Sequence, residues 1–154
     1  MVKYVKGNLL DSDCTYICHQ VNCQGVMASG IAKQIRERWP NVYDGYRRFC
    51  EHYGHYYTNV LLGKVFKAQV DVNKYVLNLF SQNNYGYDGS RFTSYDSFEH
   101  CLNVIKDWIP KSSSIGFPKN IGCGLGGGNW KVISALIEEI LGEDFDVYIY
   151  ELED

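Results

Sequence analysis

The chain has 154 residues, of which 45% are hydrophobic and 15% aromatic, and carries a formal net charge of −3. That length holds one core and not two ordinary domains, so a single domain over residues 1–154 is expected. The acidic balance excludes a bulk field that would draw in a nucleic-acid backbone, and no run approaches the roughly 18 apolar residues of a membrane span.

Elements alternate along the chain. Residues 3–6 read as a short strand closed by the turn-prone pair Gly7-Asn8, and residues 15–18 as a second strand with a polar patch beginning at His19. Ile31, Ile35 and Trp39 recur at helical spacing from Gly30 until Pro40 stops them, and Tyr43, Tyr46, Arg47 and Cys50 predict a further helix up to Gly54. Residues 61–70 and 74–80 read as strands, followed by the polar loop 82–89. A helix is expected over 93–109, with Tyr95, Phe98, Leu102, Ile105 and Ile109 on its apolar face and Pro110 at its end. Residues 114–117 read as a buried strand, 129–141 as a helix burying Val132, Ile133, Leu136, Ile137 and Ile140, and 145–150 as the closing strand. Strands alternating with helices predict an α/β fold, a mixed and mostly parallel sheet with helices on both faces.

Two glycine-rich segments stand out. The first, residues 22–30, follows a strand and opens a helix. Small residues there let backbone amides approach a ligand, and the helix start offers unpaired N–H groups at the positive end of its dipole. The second, residues 122–128, has the same strand-loop-helix setting. Both are expected beyond the carboxyl ends of strands, where open α/β sheets bind ligands. Neither carries the Lys-Ser/Thr ending of a nucleoside-triphosphate loop, and neither fits the dinucleotide fingerprint with its acidic partner. The expected ligand is a phosphate compound; two plain connecting turns are the alternative.

Side-chain chemistry is sparser. Cys14, Cys18, Cys23, Cys50, Cys101 and Cys123 contain no C-x-x-C pair, and the N-terminus lacks an apolar signal core. Free thiols and a cytoplasmic location are expected. Cys14, Cys18 and Cys23 with His52 and His55 match no standard zinc spacing, so no metal and no cofactor is expected. His19 could serve as a general acid or base near neutral pH, or as a strand-end histidine that holds its loop. Asp88 could complete an acid/base pair, although loop carboxylates are usually solvated. Cys123 has no base beside it in sequence, which disfavours a nucleophilic role.

At these residues the chain resembles a macro domain, the ADP-ribose-binding module. The opening Tyr4-Val5-Lys6-Gly7-Asn8-Leu9-Leu10 is similar to the family's first strand and turn. His19-Gln20-Val21-Asn22-Cys23-Gln24-Gly25 through Gly30-Ile31-Ala32 is similar to its first ligand loop. Pro118 through Gly122-Cys123-Gly124-Leu125 and Trp130 resembles the second, and Val147 through Leu152 the last strand. The likeness is strongest to the branch of ADP-ribose-1''-phosphate phosphatases and terminal ADP-ribose protein glycohydrolases. It implies a three-layer α/β/α fold. It also implies that Asn8 and Leu9 meet the adenine with Tyr150 nearby, that Asn22 approaches the distal ribose, and that Gln24, Ser29, Gly30 and Ile31 line the first loop. Gly122, Cys123, Gly124, Leu125 and Gly126 would wrap the pyrophosphate and distal ribose, and Gln82 would lie beside them.

The chain departs from the family at three positions. The usual adenine-contacting Asp is Asn8, which can accept a hydrogen bond without charge assistance. Gly126 and Gln82 stand where glycohydrolase members carry an Asp and a Lys, which disfavours their covalent route. The resemblance therefore implies a protein that binds ADP-ribose or a derivative, free or attached to protein, and a monomer is the default expectation. Its expected reaction is release of phosphate from ADP-ribose-1''-phosphate, or deacylation of an O-acyl-ADP-ribose, with His19 and Asn22 as catalytic candidates. A reader without catalysis is the alternative, and an RNA- or poly(ADP-ribose)-binding module is disfavoured by the charge.

Overall fold

The computed structural model describes residues 2–53, 58–86 and 88–153, with backbone alone at 58 and 59. Gly54 and His55, named above for a helix end and a zinc ligand, lie outside the described residues, as does Tyr87 of the polar loop. In chain order the elements are β1 (Val2–Lys6), a single 3₁₀ turn at Leu9–Asp11, β2 (Tyr16–Asn22), α1 (Gly30–Arg38), α2 (Pro40–Tyr53), the one-turn α3 (Thr58–Leu61), β3 (Val65–Asp71), β4 (Lys74–Gln82), α4 (Tyr95–Trp108), β5 (Ser114–Pro118), α5 (Trp130–Leu141) and β6 (Asp146–Glu151).

The strands form one six-stranded sheet in the order β1-β6-β5-β2-β4-β3, parallel throughout except that β3 runs antiparallel to β4. On one face α1 and α2 bury Ile35, Val42, Tyr46 and Cys50 against Ile17, Val21, Val76 and Phe80. On the other, α4 and α5 bury Phe98, Leu102, Ile105, Ile133 and Ile137 against Cys18, Leu77, Leu79, Phe117 and Ile149. Each of these large side chains contributes roughly 1.5–3 kcal/mol by leaving water. The three-layer α/β/α architecture expected from the alternating elements is the one observed.

Four local expectations change. The second strand does not end where the polar patch begins; β2 runs on through His19 and Gln20 to Asn22. It stays paired with β4 along its whole length, so His19 and Gln20 bond across that ladder to Asn78 and Gln82 instead of marking a loop. Residues 61–64 are not strand: Leu61 closes α3, and Gly63 adopts φ +89°, donating its N–H to the Phe80 carbonyl. Pro40 ends α1 but also opens α2 as its first residue, where a missing N–H costs nothing. Val132 is exposed, and the buried stripe of α5 is Ile133, Ile137 and Leu141, with Leu136 and Ile140 at its margin.

One pairing positions everything that follows. β2 meets β5 only at Tyr16↔Ile115 and Ile17↔Gly116. Beyond that point β5 continues along β6 to Pro118 while β2 continues along β4 to Asn22, so the two strands part toward their carboxyl ends.

The catalytic expectation for His19 is corrected here. Its ring is fully buried on the α1/α2 face, in the same alternation as Ile17 and Val21, with Nε2 2.6 Å from Oδ1 of Asn78 and Nδ1 without a partner among the described residues. Burial pushes its pKa down to about 4, so the ring is neutral near pH 7. An unfolded histidine takes up its proton near pH 6.5, whereas this one resists until about pH 4. Stability present above pH 6.5 is therefore lost as pH falls through that window, by up to about 3 kcal/mol. Urea unfolding from pH 7 to pH 4 is expected to show this slope in the wild type and a flatter one in His19→Leu; equal slopes would contradict the assignment.

Candidate functional site

Where β2 and β5 part, a cleft of about 330 Å³ opens at the carboxyl edge of the sheet. One wall is the first loop and the start of α1, from Asn22 and Val26 to Ala32. The other is the segment after β5, residues 118–122 and 124–126. Gln20 and Gln82 line the cleft between them, together with Tyr85 and Gly86.

The first loop is held by two side chains, Asn22 and Tyr46. Asn22 sits at an irregularity in the β2–β4 register, and its Oδ1 accepts the N–H groups of Gln24 (2.9 Å) and Val26 (3.4 Å). Its Nδ2 donates to the Val26 carbonyl at 2.9 Å, which leaves one amide hydrogen unspent among the described residues. Beneath it, the Tyr46 hydroxyl of α2 lies 2.6 Å from the Asn22 carbonyl oxygen and 2.9 Å from its Oδ1, and accepts the Gly25 N–H at 3.2 Å. Burial pushes the Tyr46 phenol far up, so it stays protonated as a donor.

The second loop hangs on a chain of neutral bonds. Ser81 donates to Gln20 Oε1 at 2.7 Å. Gln20 Nε2 donates to Gln82 Oε1 (2.8 Å) and Thr93 Oγ1 (2.9 Å), and Thr93 donates to the Gly122 carbonyl at 2.6 Å. That carbonyl also accepts the Gly128 N–H at 2.8 Å, curling the loop on itself. Gly122 adopts φ +72°, and a Cβ at Gly126 would stand 2.7 Å from the Gly122 carbonyl oxygen and 2.6 Å from Thr93 Oγ1. Larger residues do not fit this curl.

The arrangement leaves backbone donors without an acceptor among the described residues. Ser29 caps α1 by backbone position but makes no side-chain capping bond, and the N–H groups of Gly30, Ile31 and Ala32 have no acceptor among the described residues. The same holds for the N–H groups of Gly122, Gly124, Leu125 and Gly126. Among the described lining residues the only charged side chain is Lys119; no carboxylate and no imidazole faces the cleft. Such a lining suits an anion by hydrogen bonding and dipole, with little net charge.

Of the residues expected at a site, the structure brings together Asn22, Ser29, Gly30, Ile31, Gln82, Gly122, Gly124, Leu125 and Gly126. Others stand elsewhere. Gln24 reaches away to Asn83, with Nε2 3.1 Å from its carbonyl oxygen. The Cys123 thiol lies 3.3 Å from the Ile121 carbonyl against the α4/α5 core, where burial pushes its pKa up, so it is no thiolate nucleophile. Leu9 is in the core, the Asn8 side chain accepts the Leu10 N–H to cap the 3₁₀ turn, and half-buried Tyr150 packs beside them. These three adjoin the Lys119 end of the cleft, since Lys119 donates its N–H to the Tyr150 carbonyl at 2.8 Å. Asp88 is exposed, outside the cleft, and caps the Ser90 N–H, which lowers its pKa. Sequence reasoning missed Gln20, Thr93, Tyr46, Tyr85 and Lys119. A polar run inside a central strand was the one available signal for Gln20.

No family model matches the chain. Over 97% of its residues it is 28% identical to the DNA ADP-ribosyl glycohydrolase of Mycobacterium tuberculosis, of which the alignment covers 42%. It is 40% identical over 65 residues to the ADP-ribose 1''-phosphate phosphatase of Saccharomyces cerevisiae, a stretch covering 41% of this chain and 34% of that protein. It superposes on the macrodomain of Thermus aquaticus DarG with a TM-score of 0.77 and 25% identity, covering 100% of this chain and 99% of the other. The chain thus spans about two fifths of the length of the first curated relatives it matches.

Replacing Tyr46 with Phe removes the hydroxyl that serves both the Asn22 carbonyl and the Gly25 N–H. Tyr46→Phe is expected to cost about 1–3 kcal/mol in urea unfolding. Amide exchange at Gly25 and Val26 should rise more than at β4; a uniform rise would contradict the staple.

Proposed function

We propose, from the premise that the chain belongs to the macro-domain family, that its cleft binds ADP-ribose and hydrolyses a phosphate ester on the distal ribose. The observation that carries the binding reading is the pair of amide sets without acceptors among the described residues, three at the start of α1 and four in the second loop, on residues that line the two walls of one cleft. A diphosphate is the group that two such sets satisfy together, because each phosphoryl oxygen takes N–H donors without requiring a buried cation. The relatives named for ADP-ribosyl chemistry support ADP-ribose as the nucleotide.

For the reaction, release of phosphate from ADP-ribose 1''-phosphate fits the wall better than cleavage of a glycosidic bond through a protein nucleophile. Gln82 and Gly126, neutral and without nucleophilic character, stand in the lining where the resemblance places a Lys and an Asp in glycohydrolases. A wall without carboxylates also accepts a dianionic phosphate without like-charge repulsion. Water attacks phosphorus, the P–O1'' bond breaks, and the proton of the attacking water passes to phosphate or ribose oxygen, since no lining side chain takes it. The residues contribute by position: the unspent amide hydrogen of Asn22 orients the distal ribose or the water, and glycine amides hold the phosphoryl oxygens. The same shortage of acid/base groups favours a second reading, a reader that binds ADP-ribose and leaves it intact.

Incubation with ADP-ribose 1''-phosphate is expected to release phosphate, and Asn22→Ala to slow that release by about tenfold or more. If no phosphate appears while calorimetry records ADP-ribose binding, the reader stands. If ADP-ribose gives neither heat nor a thermal shift, both readings fall.

A further inference from the structure

The cleft follows the carboxyl edge of the sheet, and that edge continues past the cleft across β6 and β1. Three charged residues occupy the continuation. Lys119 follows β5, Glu151 ends β6 and Lys6 ends β1, side by side in the sheet order. One oxygen of Glu151 lies 2.7 Å from Lys119 Nζ and the other 2.8 Å from Lys6 Nζ. Two ammonium groups therefore share one carboxylate, which leaves the row with a net positive charge. Each ammonium has three N–H donors and spends one on Glu151, with no other acceptor among the described residues.

We propose that Lys119 and Lys6 form an anion subsite that selects ligands carrying a phosphate on the adenosine ribose. The inference rests on the binding reading above and on the resemblance, which places the adenosine toward Asn8, Leu9 and Tyr150. Those residues adjoin the row: Asn8 is two residues beyond Lys6, Tyr150 precedes Glu151, and the Lys119 N–H bonds the Tyr150 carbonyl. Lys119 is the one cation among the described lining residues, so a dianion on the adenosine ribose meets it where unsubstituted hydroxyls of ADP-ribose offer no charge. A similar trio, Lys106, Lys111 and Asp144, sits before β6, at the opposite end of the sheet from the cleft, and gives an internal control.

A phosphate can stand directly on the adenosine ribose, or lie one ribose further out in the next unit of an ADP-ribose chain, and the subsite is assigned to the first. The test is calorimetry on the whole chain with three probes: ADP-ribose, ADP-ribose 2'-phosphate and a short linear oligomer of ADP-ribose. The 2'-phosphate is expected to bind roughly fivefold tighter than ADP-ribose at low salt, and the ratio to shrink at high salt. Lys119→Met should bring the ratio toward one, Glu151→Gln should raise it, and Lys111→Met should leave it unchanged. A tighter oligomer with no gain from the 2'-phosphate would overturn the terminal-phosphate subsite, as would equal or weaker binding of both substituted ligands. Failure of all three probes to bind would overturn the binding reading itself, and this inference with it.

Discussion

The parting of β2 from β5 is the constraint on which the rest of the molecule depends. Two parallel strands that share only Tyr16↔Ile115 and Ile17↔Gly116 must diverge, and the space between their carboxyl ends becomes the cleft. The chain crosses from β2 toward β4 on one side and from β5 toward β6 on the other, so this is where the direction of sheet growth reverses. The helices that follow the two strands pack on opposite faces, α1 with α2 and α5 with α4. The loops that lead to them line the two walls of the gap.

Loops rich in glycine do not hold such positions unaided, because glycine loses the most backbone entropy on ordering. The fold counters this with polar side chains on rigid elements. Asn22 and Tyr46 fix the first loop, and Ser81, Gln20 and Thr93 fix the second. Every bond in these two sets is between neutral groups, and the set is nearly complete, as a buried polar cluster must be to avoid a desolvation cost. The result is preorganised donors with little charge, matched to an anion whose binding then requires small rearrangement. His19 shows the limit of this completeness, with one ring nitrogen left unpartnered in the core.

Much of this was legible in the sequence because it rests on local signals. Periodicity gave α1, α4 and α5 within a residue or two, and the two glycine segments marked the walls of the cleft at Gly30, Gly124 and Gly126. What escaped was whatever depended on pairing across the sheet. His19 and Gln20 read as the start of a loop because polarity in sequence says nothing of a strand that goes on pairing with β4, where Asn78 and Gln82 supply their partners. Tyr46 reads as one apolar position of a helix, and only the tertiary fold brings its hydroxyl under Asn22. Cys123 and Gln24 lie inside the predicted loops, yet curl and tether turn their side chains out of the cleft. Lys119 escaped as one basic residue among many; its partner Glu151 is 32 residues away in sequence, and their pairing at the sheet edge holds the Glu151 carboxyl down at about 2.

The central claim is that two loops serve one diphosphate, and amide chemical shifts report on it directly. On titrating nitrogen-15-labelled protein with ADP-ribose, the account predicts that Gly30, Ile31 and Ala32 shift together with Gly124, Leu125 and Gly126, along one saturation curve. Shifts confined to one loop, or two sets with different midpoints, would contradict it.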